Sequence, residues 1–256
     1  MPDVFSSHSP SDAAAGEKLS VSQNFRYLDF IIALFVTVLI VSNIASSAKI
    51  VDLGFSVFDI QFAFDGGTLL FPVSYVIADV LTEVYGFRAA RRVIWIGFTA
   101  LSFSALVFFL LGLLPPEAIW EAENNGSTAY KNILGGMSSG GIVLASLAAY
   151  LIGEFSNSVI LAKIKILMKG RLLWVRTIGS TLIGELLDSL IFIGIATLAG
   201  VFPKELFFSL LFTNYILKCL IETAVTPLTY LAVWKLKKAE GADTYDIGVK
   251  FTPFGL

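Results

Sequence analysis

Histidine and cysteine are almost missing from this chain. Its 256 residues hold one of each, His8 and Cys219. One cysteine excludes an intrachain disulfide and a cysteine metal site. One histidine, set in a polar N-terminal stretch, leaves no imidazole for zinc binding or acid–base catalysis in the apolar part of the chain. Charge is scarce too: 15% of residues are Asp, Glu, Lys or Arg, against about 25% in soluble domains. The chain has no G-x-x-x-x-G-K-[ST] phosphate loop and no H-E-x-x-H. ATP hydrolysis and zinc-protease chemistry therefore have no motif to rest on. No metal site and no cofactor is expected.

What is present is apolar surface. Hydrophobic residues make up 56% of the chain, 22 residues are Phe, and mean hydropathy is +0.79. These values describe a polytopic membrane protein. The net charge of −2 says little about partners, because topology segregates the charges.

Residues 1–24 are rich in Ser, Ala, Asp and Pro without apolar periodicity, and are expected to be a disordered cytosolic tail. No apolar signal-peptide core follows Met1. Six apolar spans follow, at about Leu28–Ala48, Thr68–Tyr85, Val93–Leu114, Met137–Ala162, Thr177–Ala199 and Leu206–Trp234. Between the first two, residues 50–65 alternate partly, with Gly54 as a candidate turn. They suggest a short extracytoplasmic hairpin or re-entrant cap. Pro115-Pro116 stops the third span, and residues 117–136 form the longest polar connection. The fold class is thus an all-α membrane protein with six transmembrane helices in one bundle. The division is tail 1–24, transport domain 25–236 and cytosolic C-terminal tail 237–256.

Lys and Arg set the orientation. Fourteen of the 18 fall in the N-tail, the turn through Arg92, the Lys163–Arg176 connection and the C-tail, while Lys49, Lys131 and Lys204 fall on the other side. Both termini are expected in the cytoplasm.

The chemistry sits inside the apolar spans. They carry Asp79, Glu83, Glu154, Glu185, Asp188 and Glu222 against one base, Lys218. A carboxylate at membrane depth costs about 2.5–3.5 kcal/mol or more, so it faces a partner or a cavity. Asp79 and Glu83 share a helix face, as do Lys218 and Glu222, which are spaced to pair within their own helix. Glu83, three residues before Gly86, is expected near the cytosolic end within reach of water. The remaining acids must be paired across helices, protonated or kept for a ligand. Interhelical ion pairs are the plainer alternative to a buried polar site. Asn43, Asn157 and Asn214 add amides at similar depth.

Two stretches echo each other 31 residues apart: LIGEFSNS with Glu154 and Asn157, and LIGELLDS with Glu185 and Asp188. Their helices run in opposite directions, so equivalent acids are expected to meet near mid-depth on facing helices. This is a candidate weak internal inverted repeat of the kind that places a transporter's site at the midplane. The Gly before each Glu admits a close backbone or a flat ligand.

The stretches GGTLLFPVSYVIADVLTEVYGFRAARRVIW, LIGEFSNS, RTIGSTLIGELLDS and NYILKCLIETAVTPLTY resemble the queuosine precursor transporter family, also called the VUT family of vitamin uptake transporters. The resemblance covers roughly residues 28–235. It implies a bacterial inner-membrane protein, without its own ATPase, that takes up 7-deazaguanine bases such as 7-cyano-7-deazaguanine and 7-aminomethyl-7-deazaguanine. The partners implied are a nucleobase-like small molecule and the lipid bilayer, not nucleic acid; a homodimer is left open. A carboxylate can accept the N1–H and 2-amino donors of such a base together. Asn157 or Asn214 suits its carbonyl edge, and Phe71, Tyr75, Phe155 and Phe192 offer ring faces. Glu185 and Asp79 are the acids expected to matter most, and Glu83 less. No catalytic residue is expected. The alternatives are a substrate-binding component energised by a separate ATPase, and an intramembrane enzyme.

Overall fold

The structure is a computed structural model that describes residues 25–57, 60–200 and 204–254. The N-terminal tail expected at 1–24 lies outside the described residues. Among the described residues, six helical spans are long and apolar enough to cross a membrane.

Helix α1, Leu28–Ala48, has the bounds the apolar run suggested. Its first turn is capped from the far end of the chain: Glu240 accepts from the backbone N–H groups of Arg26 and Tyr27 at 3.0 and 2.8 Å. This satisfies donors that a helix start leaves orphaned. Strands β1, Ile50–Val57, and β2, Ile60–Asp65, then pair antiparallel from Ile50 opposite Asp65 to Val57 opposite Ile60. The expected hairpin is there. Gly54 is not its turn: it lies inside β1 at φ +74°, within the stretch where the register shifts, and so acts as a bulge glycine.

After a 3-10 turn at Gly66–Leu69 comes α2, Phe71–Val80, with Pro72 in its first turn. A π-helical turn, Leu81–Tyr85, continues it. This span is the centre of the bundle: 72% of its apolar window is buried, against 22–39% in the other five. Gly86 ends it at φ +84°, where a Cβ would sit 2.7 Å from Thr244 Cγ2 and 3.0 Å from Asp246 Oδ1. Backbone and space both demand glycine there.

Helix α3, Phe87–Leu113, starts six residues before the expected Val93. The Asp246 carboxylate makes this possible, because both its oxygens accept from the Phe87 N–H at 3.0 and 2.9 Å. The polar connection is not a loop but two helices. In α4, Ala118–Asn124, the Glu117 side chain accepts from the Ile119 and Trp120 amides. Then Asn125, in the left-handed region, turns the chain into α5, Gly126–Ser138. Helices α6, Gly140–Leu167, α7, Leu173–Leu198, and α8, Phe207–Glu240, complete the bundle, and Pro227 lies inside α8.

Helices α6 and α7 pack more extensively than any other pair, and the echoed motifs make this contact. A Cβ on Gly153 would lie 2.9 Å from Asp188 Cβ and 3.4 Å from Gly184 O; one on Gly184 would lie 2.9 Å from Asn157 Cβ and 3.2 Å from Gly153 O. Each glycine thus receives the polar residue of the other motif, and the backbones approach closely. Phe30, Phe103, Leu144, Leu198 and Phe208 are exposed on the outside of the bundle, as lipid-facing residues are.

Candidate functional site

A cavity of about 650 Å³ opens between the helices, a size typical of small-molecule sites. Asn43 comes from the C-terminal end of α1, and Phe71, Ser74 and Tyr75 from the N-terminal half of α2. Helix α6 contributes Ser146 and Glu154, α7 Asp188 and Phe192, and α8 Asn214 and Lys218. Most of these positions lie toward the helix ends opposite Gly86, with Glu154 at the middle of α6.

Lys218 is the electrostatic hub of the wall. Its ammonium donates to Asp188 Oδ2 at 2.5 Å and lies 3.1 Å from Glu185 Oε2, an ion pair across α7 and α8. It also stands 5.2 Å from the centre of the Phe71 ring, within cation–π range. The pairing expected between Lys218 and Glu222 does not form. Glu222 instead accepts from the Thr181 hydroxyl at 2.5 Å, because Lys218 is drawn to the two α7 carboxylates.

Asn43, Phe71, Tyr75, Glu154, Asp188, Asn214 and Lys218 of the expected set line the cavity. Asn43 is held by its own helix, donating to Leu39 O at 2.8 Å, and its carbonyl accepts from Ser146 at 2.8 Å. Asn214 donates to Leu210 O at 3.0 Å. Asp79, Asn157, Glu185 and Glu222 stand behind the wall, fully or nearly fully buried. Asp79 accepts from the Asn157 amide at 2.9 Å. Phe155 packs into the core against Trp95, ring centres 6.0 Å apart, and Phe192 lines the cavity.

Unused acceptor capacity collects here. Glu154 Oε2, Asn157 Oδ1, Glu185 Oε1 and Glu222 Oε2 are buried without a hydrogen-bond partner. A buried polar atom left unpaired costs about 1–3 kcal/mol, so four in one region mark a place where folding stability alone did not choose the residues.

Glu83 lies elsewhere and is not within reach of water. It is fully buried on the π turn. Its Oε1 receives Arg176 at 2.9 Å and Lys237 at 2.6 Å, with Lys165 at 3.4 Å. Asp243 bridges Lys165 and Lys237 at 2.6 and 2.8 Å. Burial works against the Asp243 charge, but hydrogen bonds from the two lysines hold its carboxyl below the usual aspartate range. Residues 241–254 seal this end: Thr244 N–H donates to Val84 O, Arg91 to Thr252 O and the Trp95 indole to Pro253 O. The sequence marked Lys165, Arg176 and Lys237 only as topology signals. Their placement at three helix ends around one buried acid was the missed signal.

The chain's relatives match this architecture's central part. The family described as "Putative vitamin uptake transporter" matches residues 65–232. A Bacillus subtilis (strain 168) protein named "Probable queuosine precursor transporter" is 29% identical over 167 residues, covering 65% of this chain and 70% of that protein. A Haemophilus influenzae protein of the same name is 25% identical over 166 residues, covering 64% of this chain and 65% of its own length. The chain thus spans about two thirds of the curated relatives it matches. No solved structure matches it. With the family matched from β2 to α8, across α2 and the crossed α6–α7 motifs, the chain belongs to the vitamin uptake transporter family that includes the queuosine precursor transporters.

Proposed function

We propose that this chain imports 7-deazaguanine bases, 7-cyano-7-deazaguanine among them, across a bacterial inner membrane, using the cavity as the binding site. The carrying observation is the Asp188–Lys218 pair on the cavity wall. Lys218 donates to Asp188 and forms an ion pair with Glu185, which leaves it an N–H for a carbonyl. Asp188 Oδ1 remains to accept N–H. A deazaguanine edge carries a carbonyl next to an N–H and an amino group, so donor meets acceptor along the whole edge. Phe71, Tyr75 and Phe192 supply flat apolar faces for the ring.

Among the described residues, 13 of the 17 Lys and Arg lie on the side of the Glu83 network, which supports the reading of that end, and of both termini, as cytoplasmic. The cavity then opens outward, and the Glu83 network and residues 241–254 close the inner end. Transport runs without an ATPase of this chain, since the chain has no phosphate loop.

The test is uptake of labelled 7-cyano-7-deazaguanine by cells with and without the chain, then by purified protein in liposomes without ATP. Uptake in both settings supports the proposal. Uptake in cells alone, with an ATPase co-purifying, points to a substrate-binding component of a larger system.

A further inference from the structure

Glu154 is the cavity's unexplained residue. It lines the wall and is 2% exposed. Its Oε2 has no hydrogen-bond partner, and Glu154 joins no ion pair among the described residues. Burying an ionised carboxylate without a cation or donors is among the costliest arrangements a protein can hold.

Its neighbours deepen the problem. Asp79 and Tyr75 on α2, Glu185 and Asp188 on α7, Lys218 and Glu222 on α8, and Tyr150 on its own helix lie close enough to interact with it electrostatically. Lys131 on α5 lines the same cavity. Lys131 is exposed, so five carboxyls share the interior with one buried ammonium, and Lys218 already serves two of them at 2.5 and 3.1 Å. Such an interior stays close to neutral only by holding protons. Of the five, Glu154 and Asp188 reach the cavity, and Asp188 is committed to Lys218.

We propose that Glu154 is a proton carrier and that import through this cavity is coupled to proton entry. The inference rests on the transport reading above. With the cavity open, a proton from cavity water bonds to the Glu154 carboxylate. The now neutral side chain removes one negative charge beside the incoming base and allows the bundle to reorient. When the site faces the other side, the same O–H bond breaks and the proton leaves to that water. No electrons move, and the carboxylate is regenerated.

The experiment uses purified full-length protein in liposomes with a trapped pH dye and the membrane potential clamped at zero. The base is 7-cyano-7-deazaguanine, which has no basic alkylamine to carry a proton of its own; its 2-amino group is conjugated with the ring and stays neutral. Entry of base should acidify the lumen. With one proton per base, an inward gradient of one pH unit should raise accumulation up to about tenfold. Net entry of base through the parent protein without any proton movement overturns the proposal. Absence of counterflow altogether overturns the transport reading instead.

The residue is tested separately. Glu154→Asp, which keeps the carboxyl, should still move protons with base. In Glu154→Gln, whatever base flux remains should carry no proton, and its rate should lose dependence on external pH. Proton uptake on base binding, read by calorimetry in two buffers of different ionisation enthalpy, should vanish in Glu154→Gln. Proton movement in Glu154→Gln equal to the parent's overturns the assignment to Glu154.

Discussion

Two buried acids on neighbouring helices, Glu83 and Glu154, look alike in sequence and live in opposite environments. Glu83 is enclosed by Arg176, Lys165 and Lys237, with Asp243 tying the two lysines together. That cluster holds one more positive than negative charge. Glu154 sits among Asp79, Glu185, Asp188 and Glu222, and Lys218 is the one buried base beside it among the described residues. The first arrangement closes one end of the bundle, and the second lines the open cavity at the other. An intramembrane carboxylate is therefore not by itself a binding residue. What separates latch from site is whether cations arrive to pair it, and those of Glu83 come from the α6 and α7 ends and from α8.

The largest expected effect tests that contrast through stability. Glu83→Gln leaves Arg176, Lys165 and Lys237 converging without their shared anion. Removing one partner of a buried pair costs about 3–5 kcal/mol. The purified variant should melt well below the parent in detergent, and cysteines introduced near the inner end should become more accessible to impermeant thiol reagents. Glu154→Gln removes no pair and should melt at or above the parent. Equal losses in the two variants would erase the distinction between latch and site.

Next comes Asp188→Asn, which keeps the shape of the cavity wall and removes the acceptor's charge. A charge-assisted hydrogen bond is worth about 1.5–3 kcal/mol, so base affinity should fall roughly ten- to hundredfold. Lys218 retains Glu185 at 3.1 Å, so the variant should still insert and fold. Unchanged affinity would move base recognition away from the Asp188–Lys218 pair.

Much of the frame was legible, and the reasons differ by element. Helix α1 could be read to the residue because an apolar run flanked by polar chain fixes it, and the hairpin because it alternates. The start of α3 could not, since its cap is Asp246, 159 residues away in sequence. Helices α4 and α5 were hidden because their composition is polar, although Glu117 ahead of Ala118 is a local start signal. The close approach of the two backbones at Gly153 and Gly184 was legible from the glycine before each echoed Glu, but the reach of Asp188 to Gly153 and of Asn157 to Gly184 was not. Which acids reach the cavity did not follow. Glu185 and Asp188 are one turn apart on α7, yet only Asp188 fronts the cavity. Helix rotation decides that, and a mean hydropathy near uniform around the helix gives no hint of rotation.

The α6–α7 crossing offers a mid-sized test. In Gly153→Ala the new methyl group meets Asp188 Cβ at 2.9 Å and Tyr75 OH at 3.2 Å. The helices must part, a strain of about 1–3 kcal/mol, and Asp188 shifts relative to Lys218. Melting temperature and base affinity should fall together. Gly179→Ala is the matched control: the nearest atom is Ile164 Cδ1 at 3.7 Å, so helix propensity should raise stability by up to about 1 kcal/mol. Both variants falling alike would mean that the crossing is loosely packed.

The smallest effect is the pH dependence of the latch through Asp243, which lies beyond the end of α8. Burial disfavours its charge, but the Lys165 and Lys237 hydrogen bonds win and depress its folded pKa. A carboxyl depressed in the folded state binds fewer protons there than in the unfolded chain. Its stabilising contribution is complete above the unfolded aspartate value of about 3.9, and is lost as pH falls through the lower folded value. The side chain is 45% exposed, so solvent screening limits the contribution to well under about 1 kcal/mol. Asp243→Asn should therefore lower the melting temperature slightly at pH 6, and parent and variant should converge as the pH drops toward 3. A gap that widens on acidification would reverse the sign and show that Asp243 is held protonated, leaving Glu83 as the only anion among the three cations.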